Sequence, residues 1–595
     1  MRRAVLCTTA CFALLAIGLG IALPGAAPAA TRTAALHVIP FPGTPDASAV
    51  SQVIFSSLAR SELRSVAVTG SRSGVHAGAL STLPDGAGTA FTPAHPFTAG
   101  EVVRVRATLR SPTAGTTLGD PGATQISFVF TIGRQASVAS AVPAGPRAQA
   151  ARRGPVQHYR SEPHLHPPAV TASSNPDTGS GDIFLTPRHS SQQGPMILDS
   201  QGHLVWFHRV AGMAYNLEVQ QYRGHPVLTW WQGGGSHPGE DVIAGRSYHV
   251  MRVLHAANGY TADVHEFQIT RQGTAIIDCV VPVQANLTSV GGASNGVVQD
   301  NVIQELDIRT GRLLWEWHSL GHIPISDSYR KPPSGSQPYS YFHMNAIQQL
   351  PDGNLLVSGS ATWAAYKISR RTGRVIWALG GKHSSFRMNR KARFEWQHDP
   401  HLLPGNILSV FDDAASPQEE AQSSAKVLRL HMKTMTATLL RRYKHKPPLL
   451  ATHAGSVQIL PNHDVFVGWG SRGIFSEYTR PGQQIFHVKF AVGIYSYRAY
   501  RFPWHARPQK GPSLAIVRHA GQTTLYVSWN GATQVASWKV LGGPRPGHLQ
   551  RVETVPKTGF ETTIRLTSAP PYVQLEALNS SGHGLARSRA ESTGH

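Results

Sequence analysis

Apolar and polar residues alternate in short runs along most of this chain, and clusters of Gly, Pro, Asn and Asp separate the runs. A period of two with frequent turn residues predicts strands joined by tight connections, and no long helical stripe competes with that reading. Between 36 and 135 the runs are "LRSVAVTGSRSG", "GTAFTPAHPFTAGEVVRVRATLR" and "TQISFVFTIG". From 176 to 508 a loose repeat takes over. Units with a polar turn and a Trp-bearing strand ("LDSQGHLVWF", "LDIRTGRLLWEW", "KISRRTGRVIWAL") alternate with strand–turn–strand units ("HEFQITRQGTAII", "NAIQQLPDGNLLVSG", "HLLPGNILSVFDD", "VQILPNHDVFVGWGS"). From 510 to 590, "TTLYVSWNGATQVASWKVLGG" and "YVQLEALNSSGHGL" return to longer alternating strands.

These patterns predict an all-β chain. The uneven but recurring units predict a β-propeller of about six blades over 176–508, since radial repetition limits exposed sheet edges. An Ig-like β-sandwich is expected over 36–135 and a fibronectin-III-like one over 510–590. The Ala/Pro/Arg-rich stretch 136–175 has no periodicity and reads as a linker. Trp315, Trp317, Trp377 and Trp396 are expected to pack between blades. "LPDGN" and "LPGN" are turn chemistry, because Pro presets φ while Asp, Asn and Gly accept turn geometry.

Composition adds partners and a compartment. The net charge is +22, with 55 Lys and Arg against 33 Asp and Glu. Such a balance favours anionic partners, cell-envelope polymers among them. The basic residues are spread along the chain and no recognition motif accompanies them, so nucleic acid is not expected. Arg2 and Arg3 precede the apolar run Ala4–Leu23, and Ala27-Pro28-Ala29 follows; residues 1–30 read as a secretory signal, with an uncleaved anchor as the alternative. The product would be secreted or held at the cell surface. Cys7 and Cys11 lie in that segment, which leaves Cys279 alone in the mature chain, without an internal disulfide or a cysteine-rich zinc site.

Three of the 30 histidines stand out by position. His265 in "ADVHEFQIT", His343 in "YFHMNAIQQ" and His398 in "FEWQHDPHLLPG" each precede a strand–turn–strand unit at one equivalent place, and His453 in "THAGSVQILPN" comes close to it. Equivalent points on successive blades converge on one mouth of a propeller's channel. Gathered imidazoles serve anion binding, proton transfer and nucleophilic attack. Glu266 and Asp399 adjoin two of them, but neighbours along a strand face opposite ways, so neither metal nor cofactor is expected.

The stretches "HMNAIQQLPDGNLLVS", "TWAAYKISRRTGRVIWALGGKHSSF", "FEWQHDPHLLPGNILSVFDDA", "VQILPNHDVFVGWGS" and "YSYRAYRFPW" resemble the arylsulfotransferase (arylsulfate sulfotransferase) family, the exported propeller group that needs no nucleotide sulfate donor. The flanking sandwiches resemble those of actinobacterial members. The resemblance implies transfer of a sulfuryl group from a phenolic sulfate ester to a phenol through a sulfohistidine. It implies His398 as nucleophile, His343 and Asn345 as sulfate-side ligands and His265 as a further ligand or proton shuttle. Where the family carries a sulfate-clamping arginine, "VSGSATWAAYK" has Ser360 and Ala361. Arg498, Arg501 and Lys382 are the expected substitutes, and Trp363 the expected aryl-stacking residue. Loss of the arginine also leaves a rival expectation, a non-catalytic surface-binding or scaffold protein built on the same propeller.

Overall fold

The computed structural model describes residues 37–110, 125–136, 155–174, 179–234, 237–335 and 337–594. The expected signal segment, with Cys7 and Cys11, lies outside them. The described chain is all-β: antiparallel sheets joined by turns, with five short 3-10 segments and no α-helix among the described residues. None of those helices is long and apolar enough to cross a membrane.

Six sheets occupy 182–502. Sheet I is built from both ends of this stretch, with Asp182–Arg188, Met196–Leu198 and Leu204–Phe207 completed by Tyr495–Phe502. Sheets II to VI follow in chain order, beginning with Met213–Tyr222, Ala262–Ile269, Met344–Gln349, His398–Leu403 (after the two-residue edge strand Arg387–Met388) and Ser456–Ile459. The first strand of each sheet meets that of the next, and the strand of sheet VI meets Tyr495–Phe502, so the contacts run in a closed cycle. Pairing of Asp182–Arg188 with Tyr495–Phe502 fastens the two chain ends to each other.

Local chemistry explains the elements. Between the first two strands of sheet IV, Gly353 takes φ 83° and donates to Leu350 O at 2.9 Å, while Asp352 Oδ1 accepts from Asn354 N at 3.1 Å. The Trp-bearing strands lock neighbouring sheets: Trp315 Nε1 donates to Arg370 O and Trp317 Nε1 to Gly373 O, both at 2.8 Å. Those acceptors lie in the "SRRTGR" turn of sheet IV.

A second device recurs on the inner strands. Gln220 donates to Phe267 O at 2.7 Å and accepts from Ile269 N at 2.6 Å. Gln268 accepts from Gln349 N, Gln348 bridges Leu402 N and O, and Gln458 bridges Arg501 N and O. Each amide fastens its own inner strand to the backbone of the following one.

Residues 37–131 form two four-stranded sheets around a separate core that includes Val53, Phe55, Val103 and Phe130. Phe41 leaves that unit to pack edge-on to Trp315 of sheet III, with ring centroids 6.0 Å apart. Residues 513–592 form two further sheets around Trp538, Val540, Leu525 and Leu575. They meet sheet I through Asn530, which exchanges hydrogen bonds with the Phe207 backbone. The described part of the expected linker is not loose. Val170–Ser174 adds a fifth strand to sheet VI against Gln484–Phe490, and Ser161 is bound to Glu561. Its backbone completes a sheet edge, a role that needs no hydrophobic period.

Candidate active site

Counting back from the Gln clamp gives a common ruler for the inner strands. Three residues before Gln220, Gln268, Gln348 and Gln458 stand Leu217, His265, Asn345 and Gly455; four before the clamped Leu402 and Arg501 stand His398 and Tyr497. Two residues earlier on each strand come Tyr215, Asp263, His343, His453, Trp396 and Tyr495. His265 and His398 therefore share a register position, but His343 does not. It belongs with His453 and Trp396, and Asn345 takes the position beside His265 and His398. The strand start is a poor ruler because the ladders slip at Tyr215/Glu218, Ala262/Phe267, Met344/Ala346 and His398/His401. Such bulges re-aim side chains at the cost of one ladder position.

The slips still bring the three imidazoles together. The His265 and His343 rings lie 5.1 Å apart, edge to face. Tyr497 stands between His265 and His398, with ring centroids 5.5 and 6.0 Å away, and its hydroxyl donates to Asn345 O at 2.9 Å. His453 is exposed and packs edge-on to Tyr495 at 5.2 Å. Gly455 has φ 129°, and a Cβ there would meet the Phe411 ring at 2.4 Å; Phe411 is the cross-strand partner of His398.

His398 is buried, with Nδ1 2.7 Å from Asp413 Oδ2 and Nε2 3.2 Å from the N–H of Ala454. An N–H can only donate, so Nε2 carries a lone pair and Nδ1 carries the proton given to Asp413. Burial, then the charges of His265, His453 and Arg498, holds the imidazole well below its ordinary value. Burial pushes the Asp413 carboxyl up, and Asp412 adds to that push. The imidazole is held neutral, with its lone pair on Nε2.

His343 takes φ 52°, a conformation that costs a residue with a Cβ about 1–2 kcal/mol. Its Nδ1 lies 3.3 Å from Ser340 Oγ, and its carbonyl accepts from Ser360 N at 3.0 Å. Burial, then Arg330, His265, His398 and His453, lowers its pKa well below 6.5. His265 holds Asp263 against Nδ1, which fixes the ring's orientation.

The expected anion ligands fare unevenly. Asn345 is fully buried and donates one of its two Nδ2 hydrogens to Gln397 O at 2.8 Å, which ties its amide to the residue just before His398. Arg498 is committed to Glu266 (3.0 Å), Asn345 O (2.8 Å) and Glu218 (3.4 Å). Arg501 lies between sheets VI and I, bound to Glu477 and to Gly179 O and Gly181 O, and is no part of the site. Lys382 donates to Ser326 O and Ser328 O, bracing the loop before His343. Ser360 is buried in the 3-10 turn Ser360–Thr362. Trp363 already carries Tyr329 stacked on it at 3.6 Å and 7°, so that face is closed to an aryl ring. Trp396, expected between blades, instead meets Trp363 edge-on at 5.4 Å beside the histidines.

Sequence reasoning missed Asp263, Asp413, Tyr497 and Arg330. Asp263-x-His265 was a readable signal, since i and i+2 share a strand face. Asp413 reaches His398 only across a hairpin. Among the described residues, Asp263, His265 and Asp278 also bring ligand-type atoms within 4.8 Å of one another, the one such cluster that touches the site. A hollow lined by Arg390, Lys391, Glu419 and Arg442 contains none of these residues.

Residues 218–491 match the arylsulfotransferase (ASST) family model. Over this span, somewhat under half of its length, the chain is similar to the arylsulfotransferase family. The matching segment carries all four histidines of the cluster, while Tyr497 and Arg498 lie just past it. The family implies an aryl sulfate donor and a phenol acceptor. No curated protein matches the chain. Solved structures similar to it include a Bacteroides caccae protein of unknown function (12% identity, 54% of this chain, 98% of that one, TM-score 0.34). A GH43 protein from Bacillus licheniformis is 9% identical over 71% of this chain and 91% of that one, at TM-score 0.27. Virginiamycin B lyase from Staphylococcus aureus is 10% identical over 60% and 84%, at TM-score 0.25. Likenesses this low leave the argument with the site itself.

Proposed function

We propose that this arylsulfotransferase-like chain moves a sulfuryl group from a phenolic sulfate ester to a phenol through a sulfohistidine at His398, on a six-bladed propeller formed by sheets I to VI. The observation that carries the reading is the fixed tautomer of His398: a neutral, buried imidazole whose Nε2 lone pair is held only by the Ala454 N–H. In the first half-reaction Nε2 attacks sulfur, the S–O bond to the aryl group breaks, and the leaving phenolate takes a proton from His265. The Nδ1–H bond to Asp413 stabilises the positive charge that the ring gains. In the second half-reaction His265 accepts the acceptor phenol's proton, its oxygen attacks sulfur, and the N–S bond breaks, restoring neutral His398. In the same reading the flanking units are Ig-like and fibronectin-III-like sandwiches, and the apolar N-terminal segment exports the chain to the cell surface or medium.

With p-nitrophenyl sulfate and phenol, His398→Ala abolishes nitrophenolate release. Full activity in that variant contradicts the assignment. A second reading, a non-catalytic surface-binding protein, is favoured by one observation: Ser360 stands where the family's arginine is expected, and Arg498 and Arg501 are both consumed by internal pairs. Absence of turnover by the wild-type chain with any aryl sulfate would establish it.

A further inference from the structure

The sulfuryl-transfer reading leaves an anion to be held next to His343, and the cations expected to hold it are spent. Arg330 is not. It sits on the loop between sheets III and IV, with its backbone fixed by Tyr339 Oη donating to Arg330 O at 2.7 Å and by Ser328 Oγ accepting from Arg330 N at 3.1 Å. Its neighbour Tyr329 is pinned on three sides: its N–H donates to Ala361 O at 2.8 Å, its ring stacks on Trp363, and Lys382 Nζ lies 5.1 Å from the ring centre. The Arg330 guanidinium is set over the Trp396 ring, 5.6 Å from its centroid. Among the described residues no carboxylate or carbonyl pairs with it. Arg330 is exposed as a residue, yet its guanidinium is enclosed enough for burial to lower its pKa.

Three further observations fall on the same spot. The Nε1–H groups of Trp363 and Trp396 are both buried and have no protein acceptor. An indole N–H left without a partner costs about 1–3 kcal/mol, so two side by side mark donors awaiting an acceptor. His343, Trp363 and Trp396 all take positive φ, 52°, 53° and 57°. Backbone strain of this kind persists where a site over-determines it. After burial, the charge of Arg330 is the largest influence on His343, which places the guanidinium's field on that imidazole.

We infer that Arg330, with the free indole N–H groups of Trp363 and Trp396, forms an oxyanion-binding subsite beside His343, and that Arg330 supplies from the preceding loop the cation that the Gly359–Trp363 segment lacks. The ligand class is a tetrahedral oxyanion such as sulfate or the sulfate group of an ester. A guanidinium offers a planar fork of donors to two of its oxygens, and the indoles can serve a third. This subsite rests on the sulfuryl-transfer reading for its role, but not for its existence.

The test uses the whole chain, labelled at histidine ring carbons, with sodium sulfate as probe. Sulfate is expected to shift the His343 ring signals saturably while leaving the loop residue His463 unmoved. Arg330→Gln should weaken this binding about 10- to 100-fold, the worth of one charge-assisted contact, and Arg330→Lys should restore part of it. In Arg330→Gln without sulfate, the His343 titration midpoint should rise. A wild-type chain that binds no sulfate at His343, or a glutamine variant that binds it as well as wild type, overturns the inference. Failure of the wild-type chain to turn over p-nitrophenyl sulfate would instead sink the transfer reading and leave the subsite standing.

Discussion

At His398 one backbone N–H decides the tautomer. Asp413 alone would allow either tautomer, because a protonated carboxyl could donate to Nδ1. The Ala454 N–H removes that choice and leaves the lone pair on Nε2. Burial first, and then coulombic repulsion from the sites of His265, His453 and Arg498, disfavours a proton on the ring. The sign for catalysis follows directly: a nucleophile whose pKa is depressed stays active to lower pH. The ascending limb of kcat/KM is expected below pH 6.5, the ordinary imidazole value, and a limb at or above 6.5 would contradict a neutral buried His398. The place of His398 before a hairpin was legible in the sequence. Its tautomer was not, because Asp413 and Ala454 reach it through a hairpin and a neighbouring sheet. Arg330 was illegible for a related reason: its loop has no repeat partner, and nothing in "SYRKPP" marks its arginine as different from the other basic residues.

At the scale of the element, the inner strand is the unit that positions chemistry. Those of sheets II, III and IV combine a slip, which re-aims one side chain toward its neighbours, with a glutamine that fixes the strand's height against the next sheet. Gln348→Ala removes a pair of hydrogen bonds to Leu402 (2.7 and 3.1 Å) and leaves that backbone unpaired. A loss of about 1–3 kcal/mol in urea unfolding is expected, together with reduced kcat, since Leu402 lies four residues after His398. An unchanged stability and rate would show that the clamp does not set the register. The turns and Trp strands of these sheets were readable from residue type alone: Asp352-Gly353 and the Trp315 and Trp317 strands behave as their chemistry requires. The glutamines stand in the sequence in "EVQQ", "EFQI", "IQQL" and "VQIL". Their meaning needs a partner strand about 40 to 80 residues away (separations of 49, 81, 54 and 43 residues), which no local pattern contains.

For the whole molecule, the question is how the 37–131 unit is held to the ring. Buried Asp46 from that unit meets His318 of sheet III at 3.3 Å, and His318 in turn holds Asp300 at 2.8 Å. Burial, then the neighbouring Asp300, pushes the Asp46 carboxyl up to about 7. Below that pH the folded chain carries a proton that the unfolded chain has released, so folding takes up a proton. Stability from this group is lost as pH rises from the unfolded value through about 7. Asp46→Asn is expected to flatten that slope in urea midpoints measured on either side of neutrality; an unaltered slope would remove Asp46 from the account. The all-β character of the chain was legible because short alternating runs and turn residues recur along its length. The way 155–174 is spent as an edge strand and a tether was not, because edge strands need only backbone.

The measurement that bears most directly on the central claim is the capture of the intermediate. The chain is mixed with p-nitrophenyl sulfate in the absence of acceptor, quenched under mildly alkaline conditions, digested and mapped by mass. A single sulfuryl adduct on the peptide carrying His398, absent in His398→Ala and discharged by added phenol, is the predicted result. Nitrophenol release without any adduct, or an adduct on His343 or His265 in place of His398, would contradict it.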